Sequence, residues 1–303
     1  MEVPLNLLGK LNSKPKKQFS RRDFLKVSAI LGLDTFLLGL TGASYAWNVE
    51  PTWMDINRVT LKLPRLPRAF SGMRLAQISD VHLGPWMSPE RFREIISLMT
   101  AQAPDLVALT GDYVLALSHG PSYTAELREM THILAELTSQ FPVVAVMGNH
   151  DYWYNAFEVS SALEKGGVHL LMNTVYTLEK DGEKLHLAGL DDIYEQQQNL
   201  DAVLAQLPGS DCAILLAHEP DFADASAATG RFDLQISGHS HGGQVVLPLI
   251  GPPILPDLGR KYPSGLYKVG NMYQYTTRGV ETSLPPVRFN CRPEITVLTL
   301  ESA

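Results

Sequence analysis

Asp80 and His82 in "ISDVHLG", Asp112 in "LTGDYV", Asn149, His150 and Asp151 in "GNHD", His218 in "LLAHEP", and His239 and His241 in "GHSH" gather carboxylates, a carboxamide and imidazoles at short spacings. Five of the nine histidines fall in these groups. A lone Asp after an apolar run is most often a turn former, and a lone buried His a hydrogen-bonded core residue. The joint pattern is different, because every group follows an apolar run and glycine precedes three of them, at Gly111, Gly148 and Gly238. The donors are oxygen and nitrogen with no thiolate, which suits Mn²⁺, Fe, Zn²⁺ or Mg²⁺. They outnumber what one open site can use. They fit two metals roughly 3.5–4 Å apart that share a carboxylate, the arrangement used for in-line displacement at phosphorus. Asp-x-His is expected to bring both side chains to one metal, since alternate residues of an extended segment point the same way. In "GHSH" the same spacing, across a turn begun at Gly238, is expected to place His239 and His241 on neighbouring metals.

Such a set converges only if the apolar runs are strands that end at one edge. Runs near Met73–Ile78, Leu106–Leu109, Val143–Met147, Leu185–Leu190, Cys212–Ala217 and Leu234–Ser237 read as strands. Between them lie segments of helical period: "SPERFREIISLMTAQA" with Ser88 as N-cap and Pro89 in the first helical position, "SYTAELREMTHILAELTSQ", and "NAFEVSSALEKGG" closed by glycine. The alternation predicts a layered α/β domain with its ligand crevice at the carboxyl ends of the strands. The last third is a Pro/Gly-rich loop, "LPLIGPPILPDLGRKYPSG", followed by late strands in "MYQYTTRGV" and "EITVLTL". The two cysteines, Cys212 and Cys291, indicate neither a disulfide framework nor a cysteine metal site.

The N-terminal segment "SRRDFLKVSAILGLDTFLLGLTGASYA" has a basic stretch, an apolar run and small residues in that order, the anatomy of an export signal. The apolar run from Val27 to Gly42, interrupted by Asp34, is short for a membrane span and favours a cleavable signal cut after Ala46; an uncleaved anchor is the alternative. Residues 1–46 hold seven of the 25 Lys and Arg and three of the 32 Asp and Glu, so the remainder carries a formal net charge of −11. That balance argues against nucleic acid as a partner, because binding through phosphates needs excess positive charge.

Taken in order, the motifs resemble the signature of the calcineurin-like metallophosphoesterases: D-x-H, G-D, G-N-H-D or G-N-H-E, a lone His, then G-H-x-H. The resemblance spans about residues 55–300. The Arg21–Arg22 pair resembles the twin-arginine (Tat) motif, and "YTTRGVETSLPPVRFNCRPEITVLTL" resembles the Tat-exported or membrane-associated bacterial subgroup. The implied organisation is a Tat signal over 1–46 and one domain over 47–303, an α/β fold in which two mixed β-sheets flanked by helices form an αββα sandwich. The resemblance further implies two divalent metal ions (Mn, Fe, Zn or Mg). Asp80, His82 and His241 would bind the first, Asp112 would bridge, and Asn149, His218 and His239 would bind the second. His150 would face the substrate phosphate as electrostatic stabiliser or general acid, with Asp151 accepting from its other ring nitrogen. A metal-bound hydroxide would be the nucleophile.

The implied substrate is a phosphomonoester or phosphodiester. Trp86, Met87, Trp153, Tyr154, Leu249 and Ile250 are expected to form an apolar rim suited to a lipid, aryl or nucleobase group. Two alternatives stand beside this reading: a pyrophosphatase acting on a lipid-linked or UDP-diacylglucosamine-like diphosphate, and a non-catalytic scaffold, which need not keep His150. Expected partners are the phosphate-ester substrate, the Tat export machinery and a peripheral membrane contact, in the periplasm or cell envelope.

Overall fold

The computed structural model describes residues 20–116 and 123–303. The basic residues of the expected signal before Ser20, and Ser122 at the head of the second expected helix, lie outside them. The chain divides into two compact units, Met1–Ser44 and Tyr45–Ala303. Helix α1 (Arg21–Asn48), most of it in the first unit, begins at a reciprocal cap in which the Ser20 hydroxyl accepts from the Asp23 amide and donates to the Asp23 carboxylate. Arg21–Thr52 is long and apolar enough to cross a membrane.

The second unit holds two six-stranded sheets. One runs in the order β1 (Asp55–Leu63), β12 (Glu294–Ser302), β2 (Met73–Ile78), β3 (Leu106–Thr110), β4 (Val143–Val146), β5 (His169–Leu170). The other runs β10 (Gly265–Val269), β11 (Met272–Thr276), β9 (Leu234–Ser237), β8 (Ala213–Leu216), β7 (Glu183–Gly189), β6 (Thr174–Lys180). Both are mixed. β2, β3, β4 and β5 are parallel, as are β7, β8, β9 and β11, while β12 is antiparallel to β2, β6 to β7 and β10 to β11.

Period-two alternation sorts the strand residues between layers. Leu75, Leu106 and Val144 of one sheet pack with Leu185, Ile214 and Ile236 of the other. The opposite face of the first sheet, with Ala76, Val107 and Ala145, is covered by α2 (Pro89–Thr100), α3 (Thr124–Thr138) and α4 (Asn149–Lys165). α5 (Leu200–Gln206) and α6 (Ala223–Ala228) cover the outer face of the second. The result is the expected αββα sandwich. Ser88 caps α2, accepting from the Arg91 amide, as its sequence predicts.

Four strands absent from the sequence reading, β1, β5, β6 and β10, are the edges of the two sheets. An edge strand is only half covered and its sequence carries no continuous apolar run. A second difference concerns α4, which starts at Asn149 rather than Asn155; the break expected there appears as a non-helical Asn155 within the helix. Cys212 and Cys291 are both buried and free.

Candidate metal centre

The polar groups follow β2, β3, β4, β8 and β9 at their carboxyl ends, but not on extended backbone. Asp80, His82, Asp112, His239 and His241 all have positive φ, from 47° to 68°. The expectation that an extended Asp-x-His segment aligns its side chains is therefore overturned: left-handed residues curl the chain at the strand end and turn both side chains inward. Asp and His tolerate this conformation better than branched residues do. The curl is laced to the neighbouring loop, with the Asp80 amide donating to Gly111 O (3.0 Å) and the His82 amide to Asp112 O (3.0 Å). Glycine is needed where these loops meet. A Cβ on Gly111 would lie 2.6 Å from His218 Nδ1, and one on Gly148 would overlap the Asp112 carboxylate.

The side chains so placed are almost fully buried: Asp80, His82, Asp112, Asn149 and His218 are at most 2% exposed, and His239 and His241 are at 6%. Hydrogen bonds fix which ring nitrogens point inward. His218 Nδ1 lies 2.6 Å from Thr110 O, and His241 Nδ1 3.0 Å from Glu281 O. His239 Nε2 lies 2.8 Å from Asp257 O. A carbonyl only accepts, so each of these nitrogens carries the proton and the other is a bare lone pair. The bare nitrogens meet other acceptors. His241 Nε2 is 3.1 Å from His82 Nε2 and 3.5 Å from Asp80 Oδ1; His239 Nδ1 is 3.0 Å from Asn149 Oδ1; His218 Nε2 is 3.2 Å from Asp112 Oδ2. His218 Nε2, Asp80 Oδ2 and His82 Nδ1 are buried without any hydrogen-bond partner.

Buried acceptors facing acceptors are unfavourable unless a cation stands among them. Among the described residues, ligand atoms within 4.8 Å of one another form three groups: Asp80, His82 and His241; Asp80, Asp112 and His218; and His82, Asp112 and His150. The residues fit divalent cations. Electrostatics agree, since burial drives His82 down to about 3 and lowers His239 and His241, keeping these imidazoles neutral donors. Burial pushes Asp80 up to about 7 against the pull of His218. Asp112 and His218 are the exception: with no cation between them their mutual attraction outweighs burial, lowering the carboxyl and raising the imidazole, and a divalent cation would displace that second proton from His218 Nε2.

The expected tie between Asp151 and His150 is not made. The Asp151 carboxylate accepts backbone amides instead: Gly148 at 2.9 Å, Asp112 at 3.0 Å and Tyr113 at 2.7 Å. Asp151 occupies the third position of α4, where a carboxylate turns back to the open amides of its own helix start and of the adjacent loop. His150 Nδ1 has no partner. Its ring is held by edge contact with His82 and a tilted contact with Trp153, both at 4.6 Å between centroids, while its backbone amide donates to Asp112 Oδ1 at 2.9 Å.

A cleft of about 470 Å³ opens from Asp112, Asn149, His150, His239 and His241. Of the six expected rim residues only Trp153 lines it. Met87 is fully buried in the core, the Tyr154 ring turns to Tyr123 and its hydroxyl to Glu158, and Trp86, Leu249 and Ile250 do not reach the cleft. The apolar lining comes from Ile254, Leu255, Leu284 and Val287, with Tyr194 beside Trp153. Gln244 joins the walls, donating to Pro285 O and accepting from the Ser283 amide. The fully buried Arg288 donates to the carbonyls of Arg278, Glu281 and Cys291, and so fixes the loop that offers Glu281 O to His241. These loop residues stand outside strands and helices, and no periodicity marks them. The Pro/Gly density of residues 247–265 was the available signal.

Residues 73–243 match the family described as calcineurin-like phosphoesterase. The chain is 34% identical to an uncharacterized metallophosphoesterase, YkuE, of Bacillus subtilis, over 94% of this chain and 99% of that protein. It is 30% identical to phosphodiesterase YaeI of Escherichia coli, over 93% and 99% respectively. A transmembrane protein with a metallophosphoesterase domain from Danio rerio is 29% identical over 99% of this chain and 69% of that protein.

Proposed function

The chain belongs to the calcineurin-like phosphoesterases and is a metallophosphoesterase, and from that premise we propose that it hydrolyses phosphodiesters bearing an apolar group, using two divalent cations. Asp80, His82 and His241 would hold one cation, Asn149, His218 and His239 the other, and Asp112 would be shared. The observation that carries this reading is the convergence of bare ring nitrogens on buried carboxylate and carboxamide oxygens. Bound there, divalent cations supply Lewis acidity and make water nucleophilic near neutral pH.

The chain's own residues do the rest. The carbonyls of Thr110, Asp257 and Glu281 lock three imidazoles in the orientation that presents a lone pair. His150 lines the cleft beside the proposed ligands, where it would meet the leaving oxygen of a bound ester. Burial lowers its pKa, opposed by the Asp112 carboxylate, and an anionic phosphate beside it favours the imidazolium that donates a proton.

A diester is favoured over a monoester or diphosphate by the cleft, whose described lining includes no Lys or Arg to meet a further phosphate charge and carries Asp257. The walls of Ile254, Leu255, Leu284 and Val287 support an apolar ester group. The name of the Escherichia coli relative agrees with a diester. A scaffold role would leave His150 and the inward-facing donors without purpose.

The Arg21–Arg22 pair ahead of an apolar helix supports Tat export to the cell envelope. Ala46 O accepts the Arg288 amide at 2.9 Å, and the buried Glu50 accepts the Cys291 amide. Cleavage after Ala46 would part this docked segment, which favours a retained anchor. The Danio rerio relative's name is consistent with membrane attachment.

The test is a metal-stripped, detergent-purified full chain reloaded with Mn²⁺, Fe, Zn²⁺ or Mg²⁺ and offered bis-p-nitrophenyl phosphate and p-nitrophenyl phosphate. Faster turnover of the diester is expected. Failure of every metal-loaded form to cleave either compound would sink the reading.

A further inference from the structure

Leu247, Leu249, Ile250 and Gly251 make a closed turn beside the cleft. The Leu247 amide donates to Gly251 O at 3.0 Å, and the Gly251 and Ile250 amides donate to Leu247 O at 2.9 and 3.2 Å. At its tip Leu249 is 108% exposed and Ile250 75%. Leu249 has φ +67°, a conformation disfavoured for a leucine, and gains no contact for its side chain by adopting it. Two further aliphatics at the cleft mouth are also exposed, Ile254 at 79% and Leu284 at 60%, and both line the cleft. From Val245 to Pro256 there is no Asp, Glu, Lys or Arg, and Pro248, Pro252, Pro253 and Pro256 stiffen the segment.

Building on the reading above, of a membrane-attached phosphodiesterase, we propose that the Leu249–Ile250 turn inserts into a lipid bilayer and holds the cleft mouth against it, so that an amphiphilic diester reaches the metal centre without leaving the membrane. The chemistry selects lipid over protein. Energetic centres of protein interfaces favour Trp, Tyr and Arg, and a stable one covers roughly 800 Å² per partner, far more than two side chains supply. The tip instead offers uncharged aliphatic groups on a rigid support, the form that partitions into hydrocarbon without a large ordering penalty. Four residues separate Leu249 from Ile254, so the inserted tip and the cleft wall are one continuous segment. An alkyl chain lying along Ile254 and Leu284 then keeps contact with hydrocarbon while its phosphate sits at His150.

The test uses the full chain in vesicles of phosphatidylethanolamine and phosphatidylglycerol, spin-labelled through Ile250→Cys, with Glu179→Cys on exposed β6 as control; Cys212 and Cys291 are buried and resist labelling. A label at 250 should collide more with oxygen than with a water-soluble nickel chelate, and one at 179 the reverse. A label at 250 as open to the chelate as the control overturns the proposal. So does protection from both reagents that grows with protein density, which would mean a second copy covers the tip. In the kinetic arm, Leu249→Ser with Ile250→Ser should keep bis-p-nitrophenyl phosphate turnover while losing about tenfold on a p-nitrophenyl phosphatidyl diester in the same vesicles. Equal effects on both substrates would also overturn it. If the wild-type chain cleaves neither compound, the phosphodiesterase reading fails, and label depth at 250 still decides the membrane contact.

Discussion

The Asp151 carboxylate accepts the Tyr113 amide at 2.7 Å, tying the start of α4 to the loop after β3 across 38 positions of sequence. The same carboxylate takes the amides of Asp112 and Gly148. It therefore fixes where Asp112 stands relative to Asn149 rather than how the His150 ring is turned.

Asp151→Asn should accordingly act on stability and metal occupancy. Replacing the anionic acceptor weakens charge-assisted bonds and puts an NH₂ group among donors, a loss of about 1.5–3 kcal/mol. Thermal midpoint and metal content should both fall, and whatever turnover remains should show no altered dependence on the leaving group. A normal midpoint with a selective defect on poor leaving groups would restore Asp151 as a partner of His150.

His150→Ala should keep its metals and lose about 10²–10⁴-fold in turnover. For a p-nitrophenyl ester, whose phenolate departs without much protonation, the defect should shrink, and for an alkyl ester it should stay large. Equal losses would remove the acid role and leave charge stabilisation. Loss of metal would place His150 among the ligands, beside His82 and Asp112, to which it is near enough.

Asp112→Asn should abolish activity and leave fewer than two metals per chain, because a shared ligand must offer charge to both cations. Metal analysis of the purified variant decides it. Two metals with ordinary turnover would displace Asp112 from the shared position.

Chelation should lower the thermal midpoint as well as inactivate. Asp80 and Asp112 are buried together, and without a cation their carboxylates face each other and several bare imidazole nitrogens. Metal at a hundredfold excess over its Kd adds about 2.7 kcal/mol per site. A scan that is insensitive to added metal would contradict the centre.

If the pair is the export address proposed above, Arg21→Lys with Arg22→Lys should leave the protein folded, active in extracts and unexported, because it lies outside the Tyr45–Ala303 unit that holds the candidate site. Cell fractionation with an activity assay reads it out. Unchanged delivery to the envelope would remove the Tat reading.

The parallel central strands were legible because their positions are covered on both faces and their sequences are nearly unbroken apolar runs, as in Leu106–Thr110 and Val143–Val146. The edge strands were not, since half of each meets water. In β1, Val59, Leu61 and Leu63 do alternate, but the partner that makes the segment a strand is β12, over two hundred residues away. Around the centre, residue types announced the metal-binding chemistry. Their conformations did not follow, because the left-handed turns at Asp80, His82 and His241 depend on tertiary bonds from neighbouring loops. The carbonyls of Thr110, Asp257 and Glu281 were equally silent, for every residue has one and only the fold selects those three.

β12 lies between β1 and β2, so the strand synthesised last is inserted between the two synthesised first. Until residues 294–302 emerge from the ribosome, β1 has no neighbour and β2 an open edge, with Leu75 and Leu61 uncovered. The first sheet therefore cannot close before residues 294–302 are available, and nascent chains stalled before residue 294 should be digested by protease where chains that include β12 resist. If export follows the Tat route proposed above, which carries folded chains, transport would in this way wait for β12, by topology alone and without a dedicated checkpoint.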